Sequence, residues 1–157
     1  MSISGARVTL SESFELPLAA SAAFRLFTAR GEALWVPGWS PEFFGEVADD
    51  IDVGTVFRTR DTLGRGTTWI VVGCDRGRRI AYARVVESGN AGTVTVSLEG
   101  SASGCLVTVA YDITSTDHEG DQSLRGFEEG YPSYIRSWRD LIIAHLDSGG
   151  ALPPATE

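Results

Sequence analysis

Lysine is absent from the 157 residues; all 13 basic side chains are arginine. That excludes Schiff-base catalysis, a phosphate-loop lysine and lysine general-base chemistry. Cysteine and histidine are scarce. Cys74 and Cys105 form no CxxC pair, and His118 and His145 fall at no zinc-like spacing from them. Buried free thiols are the simple reading, and no metal or cofactor is implied. No apolar run approaches the ~20 residues of a membrane span, and the first residues carry no apolar stretch of a secretion signal. A cytoplasmic protein without membrane insertion is expected. Positive charge is also in deficit, 13 basic against 21 acidic residues for a net −8. Such a chain repels phosphate backbones, so no nucleic-acid partner is expected.

What is present suits one globular domain over residues 1–148, with 149–157 as a loose tail. A chain of this length buries roughly 70% of its unfolded surface and needs no metal or disulfide to fold. Residues 6–17 alternate, Val8, Leu10, Phe14 and Leu16 on one face and charged or hydroxyl residues on the other. This predicts a half-buried strand ending at Pro17. Glu12 lies on the apolar face, either at a kink or strand end or as a carboxylate directed into a cavity. Residues 19–27 favour a helix, with a second helical turn at 31–34. Pro37, Gly38 and Pro41 then break regular structure, leaving Trp35 and Trp39 in a loop with rings to bury.

Six short β-branched or aromatic runs follow, at 43–48, 55–60, 67–74, 79–87, 93–98 and 105–113, separated by turn-rich segments. They predict an antiparallel meander. Leu124, Phe127, Tyr131, Ile135, Trp138, Ile142 and Leu146 then recur every three or four residues, one stripe of an amphipathic helix over 119–147. Pro132 predicts a kink near 128–131. The expected fold is α+β: a seven-stranded curved antiparallel sheet gripping a long C-terminal helix, with two short helices between strands 1 and 2. A helix bridging a curved sheet leaves a hollow, the usual place for an apolar small-molecule site.

Phe14-Glu-Leu-Pro17, Ala23-Phe24, the segment from Gly31 through Trp35 to Trp39, Gly54-Thr-Val-Phe57, the run from Val107 to Thr114 and Trp138 give the chain a family likeness. Over residues 6 to 147 it resembles the SRPBCC superfamily, the helix-grip group of START lipid-transfer domains, the major birch pollen allergen, polyketide cyclases and the activator of heat-shock ATPase. The segment from Trp35 to Trp39 resembles that of small bacterial members. The resemblance implies a cavity for a hydrophobic small molecule of lipid, polyketide or aromatic type.

Gly64-Arg-Gly66 lacks a lysine and a following helix, so it reads as a hairpin turn and not a phosphate cradle. Neither histidine lies in a nucleophile motif. The arginines at 76, 78 and 79 and at 58, 60 and 65 sit on hairpins, where an acidic chain offers them carboxylate partners. The candidate cavity residues are Trp35, Trp39, Trp69, Tyr82, Arg84, Tyr111, Phe127, Glu128, Tyr131 and Trp138. Aromatic groups with polar handles suit either core packing or a cavity wall. Glu128 falls about 40° from the helix stripe, and Arg84 shares a strand face with Ile80 and Tyr82. The two could pair inside the cavity, or Arg84 could snorkel to water. Glu42 and Asp112 are weaker candidates. Three functions follow: a carrier or sensor of a hydrophobic molecule, a polyketide cyclase or dehydratase-like enzyme using a cavity carboxylate or tyrosine, and a protein-interaction module. A monomer or a homodimer through Trp35 and Trp39 fits equally.

Overall fold

The computed structural model describes residues 5–150 and Leu152. Strands β1 (Arg7–Leu16), β2 (Glu42–Phe43), β3 (Val56–Arg60), β4 (Gly66–Asp75), β5 (Arg79–Val86), β6 (Asn90–Ser101) and β7 (Gly104–Ser115) form one sheet. Its order is β1-β7-β6-β5-β4-β3-β2, with every neighbour antiparallel. The chain therefore runs as a meander from β2 to β7, with β1 laid beside the last strand. Helices α1 (Ala20–Phe24) and α2 (Ala29–Glu32) lie between β1 and β2, and α3 (His118–Asp147) closes the chain order. This is the expected α+β architecture. The loose tail assigned to 149–157 lies mostly outside the described residues.

Alternation is clearest on β1, β6 and β7, where it fixes the buried face. On β7, Cys105, Val107, Val109, Tyr111, Ile113 and Ser115 point inward while the residues between them are half-buried or exposed. Between Val71 and Gly73 the β4–β5 register shifts, leaving Val72 exposed at 48%. An extra residue of this kind bends its strand and adds twist. Strands β6 and β7 extend beyond the sequence reading because their flanking Gly, Ser and Asn residues continue the ladder to the hairpin tip.

The helix expected over residues 19–27 is broken in two, and the second helical turn expected at 31–34 appears as α2 at Ala29–Glu32. Residues Arg25–Phe27 tighten into a 3-10 turn, and Thr28 is extended (φ −81°, ψ 165°) and caps α2 by accepting from the Gly31 N–H at 2.9 Å. The buried Asp50 carboxylate accepts from the Arg30 N–H at 2.8 Å. The chain is drawn so tight that a Cβ on Gly31 would lie 1.9 Å from the Arg25 carbonyl oxygen. Only glycine fits there.

Helix α3 starts at its cap Asp117, which accepts from the Gly120 N–H at 2.6 Å, and continues through Pro132 as one element. It packs chiefly on β1 and β7. Buried Tyr131 donates its hydroxyl to the Val109 carbonyl at 2.6 Å, and Arg139 Nε donates to the Glu15 carbonyl at 2.9 Å. Glu12, on the inner face of β1, sits 3.6 Å from Arg136 of the same helix. The outer arginines meet carboxylates: Arg7 with Asp112, Arg65 with Asp61, Arg76 with Asp49, and Arg58 and Arg60 with Glu42. Exposed pairs contribute at most about 1 kcal/mol each, whereas burying one large apolar side chain contributes about 1.5–3 kcal/mol. The aromatic and aliphatic interior therefore holds the fold. Among the described residues no helix is long and apolar enough to cross a membrane.

Gly31→Ala forces the Arg25–Phe27 turn apart, and we expect a loss of about 1–3 kcal/mol. Urea denaturation followed by circular dichroism measures it; an unchanged midpoint would show that the turn yields at no cost.

Candidate functional site

The hollow between sheet and α3 is a cavity of about 250 Å³. Three structural elements build it. Strands β3 to β7 supply Phe57, Trp69, Tyr82, Arg84, Val94, Val96 and Tyr111 as a floor; α3 supplies Tyr134, Ser137, Trp138 and Leu141 as a roof. Helix α2 and the loop after it close one end with Glu32, Trp35, Val36, Pro37 and Trp39. The exposed members Pro37, Tyr134 and Ser137 form the rim.

The broken helix explains why two loop tryptophans point inward. Ending a helix at Phe27 frees carbonyls that a longer helix would have used. Trp35 Nε1 donates to the Leu26 carbonyl, Tyr82 to the Phe27 carbonyl and Trp39 Nε1 to the Ala29 carbonyl, each at 2.8 Å. Each bond satisfies an otherwise costly buried oxygen and fixes an aromatic ring against the cavity. The rings then lock one another. Trp69 stacks on Phe57 (6.0 Å, 5°), meets Trp39 edge-on at 5.6 Å and donates to Thr59 Oγ1 at 3.0 Å. Trp35 lies 5.6 Å from Trp138 across the hollow.

Two charged residues interrupt this wall. Arg84 sits on β5 opposite Trp69 of β4 and Gly92 of β6. A Cβ on Gly92 would come within 2.0 Å of the Asp112 carbonyl, so the strand carries no side chain beside the guanidinium. Arg84 Nη1 donates to Asn90 Oδ1 at 3.0 Å, and the guanidinium carbon lies 5.4 Å from the Trp69 ring centre and 5.9 Å from that of Tyr111. Its Nε is buried without an acceptor, and burial lowers its pKa because the cation has lost its water. Glu32 is the second. Burial alone raises its pKa well above the ordinary 4.5, which favours the undissociated acid. Burial and then the Glu32 charge raise the Tyr82 pKa, and Glu32 itself lines the cavity. The Tyr134 hydroxyl lies within hydrogen-bonding reach of the Trp138 indole and the Tyr111 hydroxyl.

Seven of the sequence candidates are brought together on this cavity: Trp35, Trp39, Trp69, Tyr82, Arg84, Tyr111 and Trp138. Phe127 lines a neighbouring chamber of about 150 Å³, which shares Arg84, Tyr111 and Tyr134 with the first. Tyr131 spends its hydroxyl on Val109 and lines neither chamber. Glu128 is exposed, so Arg84 pairs with Asn90 in place of that carboxylate; a helix residue 40° off the stripe clears the sheet here. Glu12, Glu42 and Asp112 all face arginines away from the cavity. Glu32 and Tyr134 were missed as cavity residues. Tyr134 had a signal, four residues before Trp138 on the same helix, a spacing that shares a face; Glu32 ends a single helical turn and had none.

The fold recurs at low sequence identity. The Mll3558 protein from Rhizobium loti aligns over 90% of this chain and 99% of its own, at 22% identity and a TM-score of 0.68. A truncated norcoclaurine synthase from Thalictrum flavum aligns over 93% and 96%, at 12% identity and a TM-score of 0.65. DynU16, a protein of the dynemicin biosynthetic locus, aligns over 93% of this chain and 48% of its own, at 18% identity and a TM-score of 0.59. No family model and no curated protein matches the sequence. What these proteins share with this chain is the helix-grip fold.

Glu32→Gln tests the buried acid. Stability contributed by a group with a raised folded pKa is fully present below its unfolded value, near 4.5, and is lost as pH rises from there through the folded value. We therefore expect Glu32→Gln to match the wild type in acid and to exceed it increasingly toward alkaline pH. Urea midpoints across the pH range measure the difference; a constant offset would remove the buried ionisation.

Proposed function

We propose that this protein binds a small, largely aromatic molecule in the cavity between sheet and α3, as a carrier or sensor that leaves its ligand unchanged. The observation that supports it is the wall itself: all four tryptophans of the chain line one hollow whose rings are already held by hydrogen bonds and ring contacts. A wall ordered before binding loses little side-chain freedom when a ligand arrives, which favours affinity. The size restricts the guest. Pockets for drug-sized ligands run to about 300–1,000 Å³, so 250 Å³ suits one or two rings.

The same tryptophans report on binding. A neutral two-ring ketone, 2-acetonaphthone, is expected to quench their fluorescence saturably at one site, with a Kd on the order of 10–100 μM. Val96→Phe, which fills the floor, is expected to abolish the saturable component while the far-ultraviolet circular dichroism stays native. Linear, unsaturable quenching in the wild type would overturn the reading.

The raised pKa of the Glu32 carboxyl on the cavity wall supports a second reading, acid catalysis on the bound molecule, since a carboxyl that holds its proton more tightly than usual can act as a general acid. Mass spectrometry of bound compounds after incubation separates the two. Unchanged recovery supports carriage; a product whose formation is lost in Glu32→Gln supports catalysis.

A further inference from the structure

We propose, resting on the binding reading above, that the ligand is an aromatic carboxylate whose ionised group lies against Arg84 where the two chambers meet. A guanidinium carries five N–H donors, and here the structure gives one of them to Asn90 and leaves the Nε donor buried without an acceptor. Arg84 Nη2 makes no hydrogen bond to the described residues either. The open side is thus the Nε–Nη2 edge. That edge is the one by which Arg7 holds Asp112 elsewhere in the chain, Nε at 2.8 Å from Oδ1 and Nη2 at 2.7 Å from Oδ2. A planar carboxylate fits it with two parallel bonds.

Nothing else neutralises the charge. The chain holds 21 acidic residues, yet among the described residues none lies within ion-pair distance of Arg84. A buried cation left in this state is destabilising, and an incoming anion removes that cost. One cation matches one negative charge, which favours a carboxylate over a doubly charged phosphate. The position also suits a ring bearing the acid. Arg84, Tyr111 and Tyr134 line both chambers, so a carboxylate there points its ring into the tryptophan-lined chamber, and the two hydroxyls stand beside it as further donors. Asn90 holds the guanidinium through Nη1, outside that edge.

The test compares 2-naphthoate with 2-naphthamide, which has the same shape and no charge, by tryptophan fluorescence at neutral pH. The wild type is expected to bind the acid roughly 10–100-fold more tightly, the worth of a charge-assisted pair in a dry site. In Arg84→Met and Arg84→Gln the preference is expected to vanish, the two compounds binding within about threefold of each other. Equal affinities in the wild type, or a preference that survives in both variants, overturn the assignment and leave the cavity reading standing. Failure of both compounds to bind the wild type overturns the two together. Should neither variant fold, the wild-type comparison alone decides.

Discussion

Helix α3 is fastened along one side of the sheet. Tyr131 reaches the Val109 carbonyl and Arg139 the Glu15 carbonyl, both on the β1–β7 side, and the buried stripe from Leu124 to Ile142 packs there. Over β4 to β6 the curved sheet falls away from the helix, and the hollow opens. Protein interiors are otherwise packed to crystal density, so an unfilled volume persists only where the walls resist collapse. Here they resist because Trp35, Trp39, Trp69 and Tyr82 are each hydrogen-bonded to groups outside the gap.

Those ties come from a local defect. The break at Thr28 leaves Leu26, Phe27 and Ala29 with carbonyls that need donors, and the donors arrive on Trp35, Tyr82 and Trp39. A helix running unbroken from 19 to 33 would use those carbonyls internally and leave the rings free to fill the hollow. Backbone accounting in one short segment thus sets the shape of a site assembled from five strands and two helices. Within that shape, Arg84 and Glu32 are the charged exceptions, each half-buried on the cavity wall and each shifted in pKa by the same loss of water. Such residues cost stability, and proteins keep them where a ligand or a reaction uses them.

Much of the fold was legible in the chain because it rests on short-range pattern. Alternation on β1, the β-branched and aromatic runs of the later strands, the turn residues between them and the stripe on α3 each follow from which side chains must leave water. Several cavity residues were legible too, since Tyr82, Tyr111 and Trp138 carry polar handles inside apolar runs. The errors share one origin. Glu128 was placed inward by its angle on the helix, but that angle is measured from the stripe and says nothing of how far the sheet reaches. Glu32 was passed over because its helix is a single turn, too short to show a periodicity. In place of a strand over 43–48 there is the two-residue β2, because only Glu42 and Phe43 pair in register with β3.

By itself, then, the sequence determined the order of elements, the face each one buries, the lack of lysine chemistry and the presence of an arginine amid core residues. These are properties of neighbours along the chain, decided by hydrophobicity, backbone preference and composition. Only the tertiary structure decided that Arg84 meets Asn90 and two aromatic rings in place of a carboxylate, that Glu32 turns inward and Glu128 outward, and that a hollow survives between them. Each of those outcomes depends on the distance between α3 and the sheet, which is set by contacts between residues far apart in the chain, and no local pattern carries that distance.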